Sequence, residues 1–178
     1  MEGGRRMRVW LTILVIAFAL PAQSAEPQTG ISPEELKAHL TAWGYNVFAH
    51  EDEEDRPQLL VSHPSDDAHT EEVGDRKGFA MLMLNCKPEE AMFMLRRCDG
   101  FEFRAYLTPG FPIKDKVYAE WNRDLGHSRA FVKEGHPRLA WRVNVRGGFV
   151  WENILDTVGV WRAEQAAFVD RLDAAVMD

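Results

Sequence analysis

The chain has little of several things that would announce a chemistry. It carries only two cysteines among 178 residues, Cys86 and Cys98. A multi-disulfide scaffold or a cysteine-rich metal finger is thereby excluded. Beyond Leu20 no apolar stretch approaches the ~20 residues that a membrane-spanning helix needs. There is no Gly-x-Ser-x-Gly, no His-Glu-x-x-His, no phosphate loop and no dinucleotide fingerprint, so no nucleophile, zinc or nucleotide motif points to an enzyme. Basic residues are in the minority, 21 against 28 acidic. No basic stripe follows residue 25, and such a chain repels phosphate backbones and anionic lipid, which argues against nucleic acid as a partner. No internal repeat or low-complexity tract divides the chain.

What is present begins with an address. Arg5, Arg6 and Arg8 precede an apolar run from Trp10 to Leu20, and Pro21-Ala22-Gln23-Ser24-Ala25 follows. Charge, apolar run and small residues in this order form a secretory signal peptide, with cleavage expected between Ala25 and Glu26. Met7 serves as an alternative start without harming it. Cleavage removes three arginines and one glutamate, which moves the net charge from −7 to −9. The expected organisation is a signal over residues 1–25, a short lead-in over 26–30 and one domain over 31–178. It is periplasmic or secreted and has no stable membrane anchor after cleavage.

Within the domain, Ser32-Pro33-Glu34-Glu35 sets an N-cap, a proline at the first helical position and a capping-box glutamate in register. The spacing of Leu36, Leu40 and Trp43 predicts a helix stopped by Gly44. Strands are predicted over 45–48 and 58–62, then a polar acidic loop over 65–77, then strands over 79–86, 92–97 and 101–107. Lys87 to Glu90 reads as a break, with a short helix over 88–95 as the alternative. Val117 and Trp121 space as a second helix ending near Asn122. Residues 128–133 and 138–145 form a hairpin around Glu134-Gly135-His136-Pro137. From Trp151 onward, Ile154, Leu155, Val158, Trp161, Phe168 and Leu172 predict a long amphipathic helix. Strands in the middle with helices at both ends make an α+β domain.

The order of several short elements resembles the YbjN family, whose members carry the label of sensory transduction regulators. These elements are Cys98-Asp99-Gly100-Phe101-Glu102-Phe103-Arg104-Ala105, Trp121-Asn122-Arg123, Arg129-Ala130-Phe131, Pro137-Arg138-Leu139, Val143-Asn144-Val145 and Gly147-Gly148, before a helix containing Trp161. Ser32-Pro33-Glu34-Glu35-Leu36 with Gly44-Tyr45 fits the family's opening helix, so the match spans nearly the whole domain. It implies a fold like that of type III secretion chaperones, in the order α-β-β-β-α-β-β-α, with an antiparallel sheet flanked by helices. It brings no defined catalytic chemistry. Two departures stand out: Gly126-His127 replaces a basic residue and an aromatic, and the segment between the cysteines is long.

The paired cysteines of an exported chain favour a disulfide between Cys86 and Cys98; the rivals are two buried thiols or a redox pair. The resemblance implies a strand-to-strand bond. Arg104, Trp121, Asn122 and Arg129 form a candidate partner or ligand surface, with Trp151 as a candidate aromatic anchor. Each also has an ordinary structural reading: helix stripe, helix end, cross-strand pairing, or a staple at the start of a helix. His50, Glu51, Asp52, His63, Asp66, Asp67 and His69 hold metal-competent groups at spacings that match no metal motif, so no metal and no cofactor are expected. The expectation is a non-enzymatic domain that binds another protein, in a chaperone-like or regulatory role, with a homodimer as its simplest form. The alternative is a small-molecule or metal sensor with a pocket near Arg104 and Trp121.

Overall fold

The computed structural model describes residues 29–64, 78–89, 92–108, 112–124 and 126–175. The expected signal peptide, its cleavage point and the acidic loop read from the sequence lie outside them. Helix α1, Pro33–Ala42, starts as its sequence dictates. The Glu35 N–H donates to Ser32 Oγ at 3.0 Å, and the Ser32 N–H donates back to the Glu35 carboxylate at 3.4 Å. The helix buries Leu36 and Leu40. Strands β1 (Asn46–Glu51), β2 (Pro57–Ser62) and β3 (Phe79–Leu84) follow. A small hairpin comes next, β4 (Lys87–Glu89) and β5 (Met92–Arg97), then β6 (Gly100–Tyr106), α2 (Asp115–Asp124), β7 (Arg129–Lys133), β8 (His136–Asn144) and α3 (Trp151–Ala174).

The main sheet runs β1-β2-β3-β6-β8-β7, and every pairing is antiparallel. The α+β reading with three helices holds. The strand count before α2 is six, where the resemblance implies three. Two of the six, β4 and β5, form a separate two-stranded excursion between neighbouring strands β3 and β6. The Lys87 segment, read as a break, is thus a strand. The turn of the last hairpin is Glu134-Gly135 alone, with φ of 55° and 79°. Two left-handed residues make the tight turn whose twist matches its strands, so His136 and Pro137 belong to β8.

One face of the sheet is apolar because strand residues alternate. Phe79, Met81 and Met83 of β3, Phe101, Phe103 and Ala105 of β6, and Leu139 of β8 lie beneath α3 in one core. Trp161 stacks on Phe103 with ring centres 5.1 Å apart and meets Phe79 edge-on at 6.2 Å. Gln165 sits on the same buried stripe, where its Nε2 donates to the Gly78 carbonyl at 2.9 Å and ties α3 to the start of β3. Trp151 stacks on His39 of α1 at 3.7 Å and meets Phe149 edge-on at 5.1 Å, which makes it a staple between the first and last helices.

Cys86 and Cys98 are bonded, with Cα atoms 3.9 Å apart. The β3–β6 register pairs Leu84 with Gly100, and two steps further it sets the cysteines opposite one another. The bond closes the neck of the β4–β5 hairpin. Ile31 pairs with Cys98 through two backbone hydrogen bonds of 3.0 and 2.9 Å. Arg97 grips Glu35 at 3.0 and 3.1 Å, so the excursion is docked on the start of α1.

Candidate recognition surface

The sheet face opposite the helices carries no described helix, and strand register states what it presents. One cross-strand row reads Phe48, Leu60, Ala80, Arg104, Ala140 and Arg129; the next reads His50, Gln58, Leu82, Glu102 and Arg142. Tyr106, Arg138 and Phe131 form a third row at the β6–β8–β7 end. The β1–β3 half is therefore mostly apolar, with Ala80 and Leu82 of β3 fully buried, and the β6–β7 half is rich in arginine.

In the arginine half, Glu102 accepts from Arg104 Nε at 2.6 Å and from Arg142 Nη2 at 3.0 Å. Burial is the largest single influence on the Arg104 guanidinium and would lower it, but the hydrogen bond and charge of Glu102, with a further contribution from Tyr106, together outweigh burial and raise it. Arg138 lies over the Tyr106 ring at 4.4 Å, and its buried Nε has no hydrogen-bond partner among the described residues. Among the described residues these strand positions set four guanidinium groups against one carboxylate. Planar forks that outnumber their acids suit carboxylates arriving from outside.

A groove of about 340 Å³ opens at one end of β3, β6 and β8, where Arg56, Arg142 and Arg146 meet Asp99, Asn85 and Asn144. Its floor needs Gly100, since a Cβ there would stand 2.1 Å from the Val143 carbonyl oxygen. Arg146 pairs with Asp99, whose carboxyl is held below its usual range mainly by that hydrogen bond. Arg56 pairs with Asp52, and its hydrogen bond takes the Asp52 carboxyl down to about 2.

Of the residues singled out from sequence, Arg104 and Arg129 share the sheet face opposite the helices, on either side of Ala140. Trp121 and Asn122 do not join them. Trp121 packs on Phe168 of α3 at 5.0 Å and donates to the Ser128 carbonyl at 3.3 Å. Asn122 donates to the Ala130 carbonyl at 2.8 Å and accepts from the Ala130 N–H at 2.8 Å, so one side-chain amide stands in for a neighbouring strand. The sheet thus lies between Arg104 and Trp121, and the two do not line a common pocket. Trp151 belongs to the α1–α3 contact. Among the metal-competent residues, Asp66, Asp67 and His69 lie outside the described residues. His50 and Glu51 point to opposite faces of β1, Asp52 is engaged by Arg56, and His63 meets Tyr45 edge-on at 5.4 Å. Among the described residues no three such groups gather.

Two features escaped sequence reading. Arg138 and Arg142 are marked only by their alternation with Leu139, Trp141 and Val143, a weak signal that ordinary surface strands also give. Glu164 has no local signal at all. Its carboxylate accepts from the His127 N–H at 2.7 Å, from His127 Nδ1 at 3.0 Å and from the Ser128 N–H at 2.8 Å. Burial alone would raise this carboxyl, but hydrogen bonds from Ser128 and His127 outweigh it and hold it below the usual range. A Cβ at Gly126 would stand 2.4 Å from the same carboxylate. The Gly126-His127 departure therefore has a local reason: the backbone closes on Glu164.

No protein-family model matches the chain, and no curated protein or solved structure is significantly similar to it. The fold described above is α+β, and no described helix is long and apolar enough to cross a membrane.

Proposed function

We propose that the chain is an exported, non-enzymatic domain of the YbjN type that recognises an acidic segment of another protein with the arginine half of the sheet face opposite its helices. The observation that carries this reading is the segregation of charge. A chain of net charge −7 places Arg104, Arg129, Arg138 and Arg142 on one sheet face, Arg129 and Arg142 exposed and Arg104 and Arg138 half-buried, with Glu102 as their acid among the described residues. Complementary charge selects partners and speeds their encounter. The N-terminal signal pattern supports export, and the Cys86–Cys98 pair fits an oxidising compartment.

The test uses two labelled synthetic peptides, one alternating glutamate with leucine and one alternating lysine with leucine, read by fluorescence anisotropy. The acidic peptide binds, weakens steeply with salt and loses at least about tenfold affinity in the Arg138→Ala/Arg142→Ala double variant. Equal binding of the two peptides, or no effect of the double variant, would overturn the reading. The groove around Arg56 and Arg146 favours a second reading, a sensor of small carboxylates. In that case succinate raises the melting temperature, Arg146→Ala removes the rise, and the acidic peptide does not bind.

A further inference from the structure

The two edges of the main sheet are treated differently. Strand β7 ends the sheet on one side. Counted from the Glu134-Gly135 turn, the alternation of an antiparallel ladder turns the N–H and C=O of Ala130 outward. Asn122 occupies both groups, Arg129 and Lys133 add charge, and α2 runs alongside. This edge is blocked at Ala130.

Strand β1 ends the sheet on the other side and, among the described residues, has no such device. The Asp52 N–H donates to the Arg56 carbonyl at 3.0 Å, so the same alternation puts Phe48 and His50 in hydrogen-bonded pairs with β2. The N–H and C=O of Val47 and Ala49 then point away from the sheet. The strand has no lysine, arginine or proline, its register is free of bulges, and Phe48 is 66% exposed. Natural edges are usually protected by those features.

We infer that β1 pairs with β1 of a second copy, antiparallel about a two-fold axis through Phe48. In that register Val47 of each copy faces Ala49 of the other, so the four outward groups on each strand find partners. Phe48 meets Phe48 as a cross-strand aromatic pair, and His50 faces Asn46. Charge is complementary as well. The acidic turn Glu53-Glu54-Asp55 of one copy comes beside the Tyr45 end of the other, where the Arg162 guanidinium lies 5.8 Å from the Tyr45 ring and His63 is adjacent. The pairing joins like faces, giving one continuous sheet with both arginine surfaces on the same side. It rests on the edge alone and stands whether or not the arginine face binds acidic segments. A six-residue edge is a small interface, so the dimer forms with a dissociation constant on the order of 10–100 µM.

Sedimentation of the chain expressed from its full sequence, over micromolar to millimolar concentrations, shows a monomer–dimer equilibrium. Ala49→Pro deletes one outward N–H without touching the β2 ladder and weakens association at least about tenfold. Phe48→Glu sets like charges across the axis at an exposed position and does the same. Phe48→Cys links the copies covalently under oxidising conditions. A monomer at millimolar concentration, or a dimer untouched by both Ala49→Pro and Phe48→Glu, overturns the inference.

Discussion

Reducing the bond between Cys86 and Cys98 deletes a cross-link without removing an atom from the core, so its effect isolates what the closure itself contributes. The cysteines are 12 apart in sequence. The chain-entropy relation for a loop of that size gives about 3 kcal/mol. In a domain of this length each kcal/mol moves the melting temperature by roughly 2–4 °C, so reduction lowers it by about 6–12 °C. The fold itself survives. Cys98 keeps its two backbone bonds to Ile31, and Arg97 keeps its grip on Glu35, so the β4–β5 hairpin loosens at its neck while remaining tethered to α1. Thermal and urea unfolding with and without reductant measures the shift, with mass spectrometry confirming free thiols. Hydrogen exchange locates it: amides of β5 and of Cys98 exchange faster, and those of β8 do not. An unchanged midpoint with both thiols free, or loss of the whole fold, would refute the reasoning.

Asn122→Ala leaves the buried Ala130 backbone without its two partners; urea unfolding registers a loss of about 2 kcal/mol, and the variant self-associates more than the parent because the β7 edge is uncovered. Glu164→Gln sets an amide donor against the donors of His127 and Ser128, which costs roughly 2 kcal/mol in the same assay and moves the amide resonances of both residues. The pH dependence follows from carboxyls whose folded values are lowered. Asp52, Asp99, Asp124 and Glu164 stabilise the fold fully above the ordinary carboxylate range, near 4. That contribution is lost as pH falls through their folded values, which for Asp52 is about 2. Melting temperature is therefore flat near neutrality and declines below about pH 4; a decline that began above pH 6 would point to histidines instead.

Local chemistry made much of the fold legible. The capping box at Ser32 and Glu35, the stripe through Trp161 and Phe168, and the alternation on either side of Glu134-Gly135 each involve residues close in sequence, where spacing alone dictates geometry. The β4 strand and the strand order depend on pairings between distant segments, which no local period encodes. The candidate surface divides in the same way. Arg104 and Arg129 could be named from the chain, but their placement on one face depends on β8 lying between them. The clamp by Asn122 and the carboxylate of Glu164 act on backbone groups, which have no side-chain identity to read, and so Asn122 looked like a helix end and Glu164 like one acid among many.

The Asn122 amide also gives the molecule a chemical lifetime. Hydrolysis of a side-chain amide, a slow ageing reaction of exported proteins, turns a group that both donates and accepts into one that only accepts. At this position the product keeps its shape and still receives the Ala130 N–H, but it sets a negative oxygen against the Ala130 carbonyl. An aged chain would thus carry an unblocked edge on each side of its sheet, and if β1 pairs as proposed, the pairs would acquire the means to grow into ribbons.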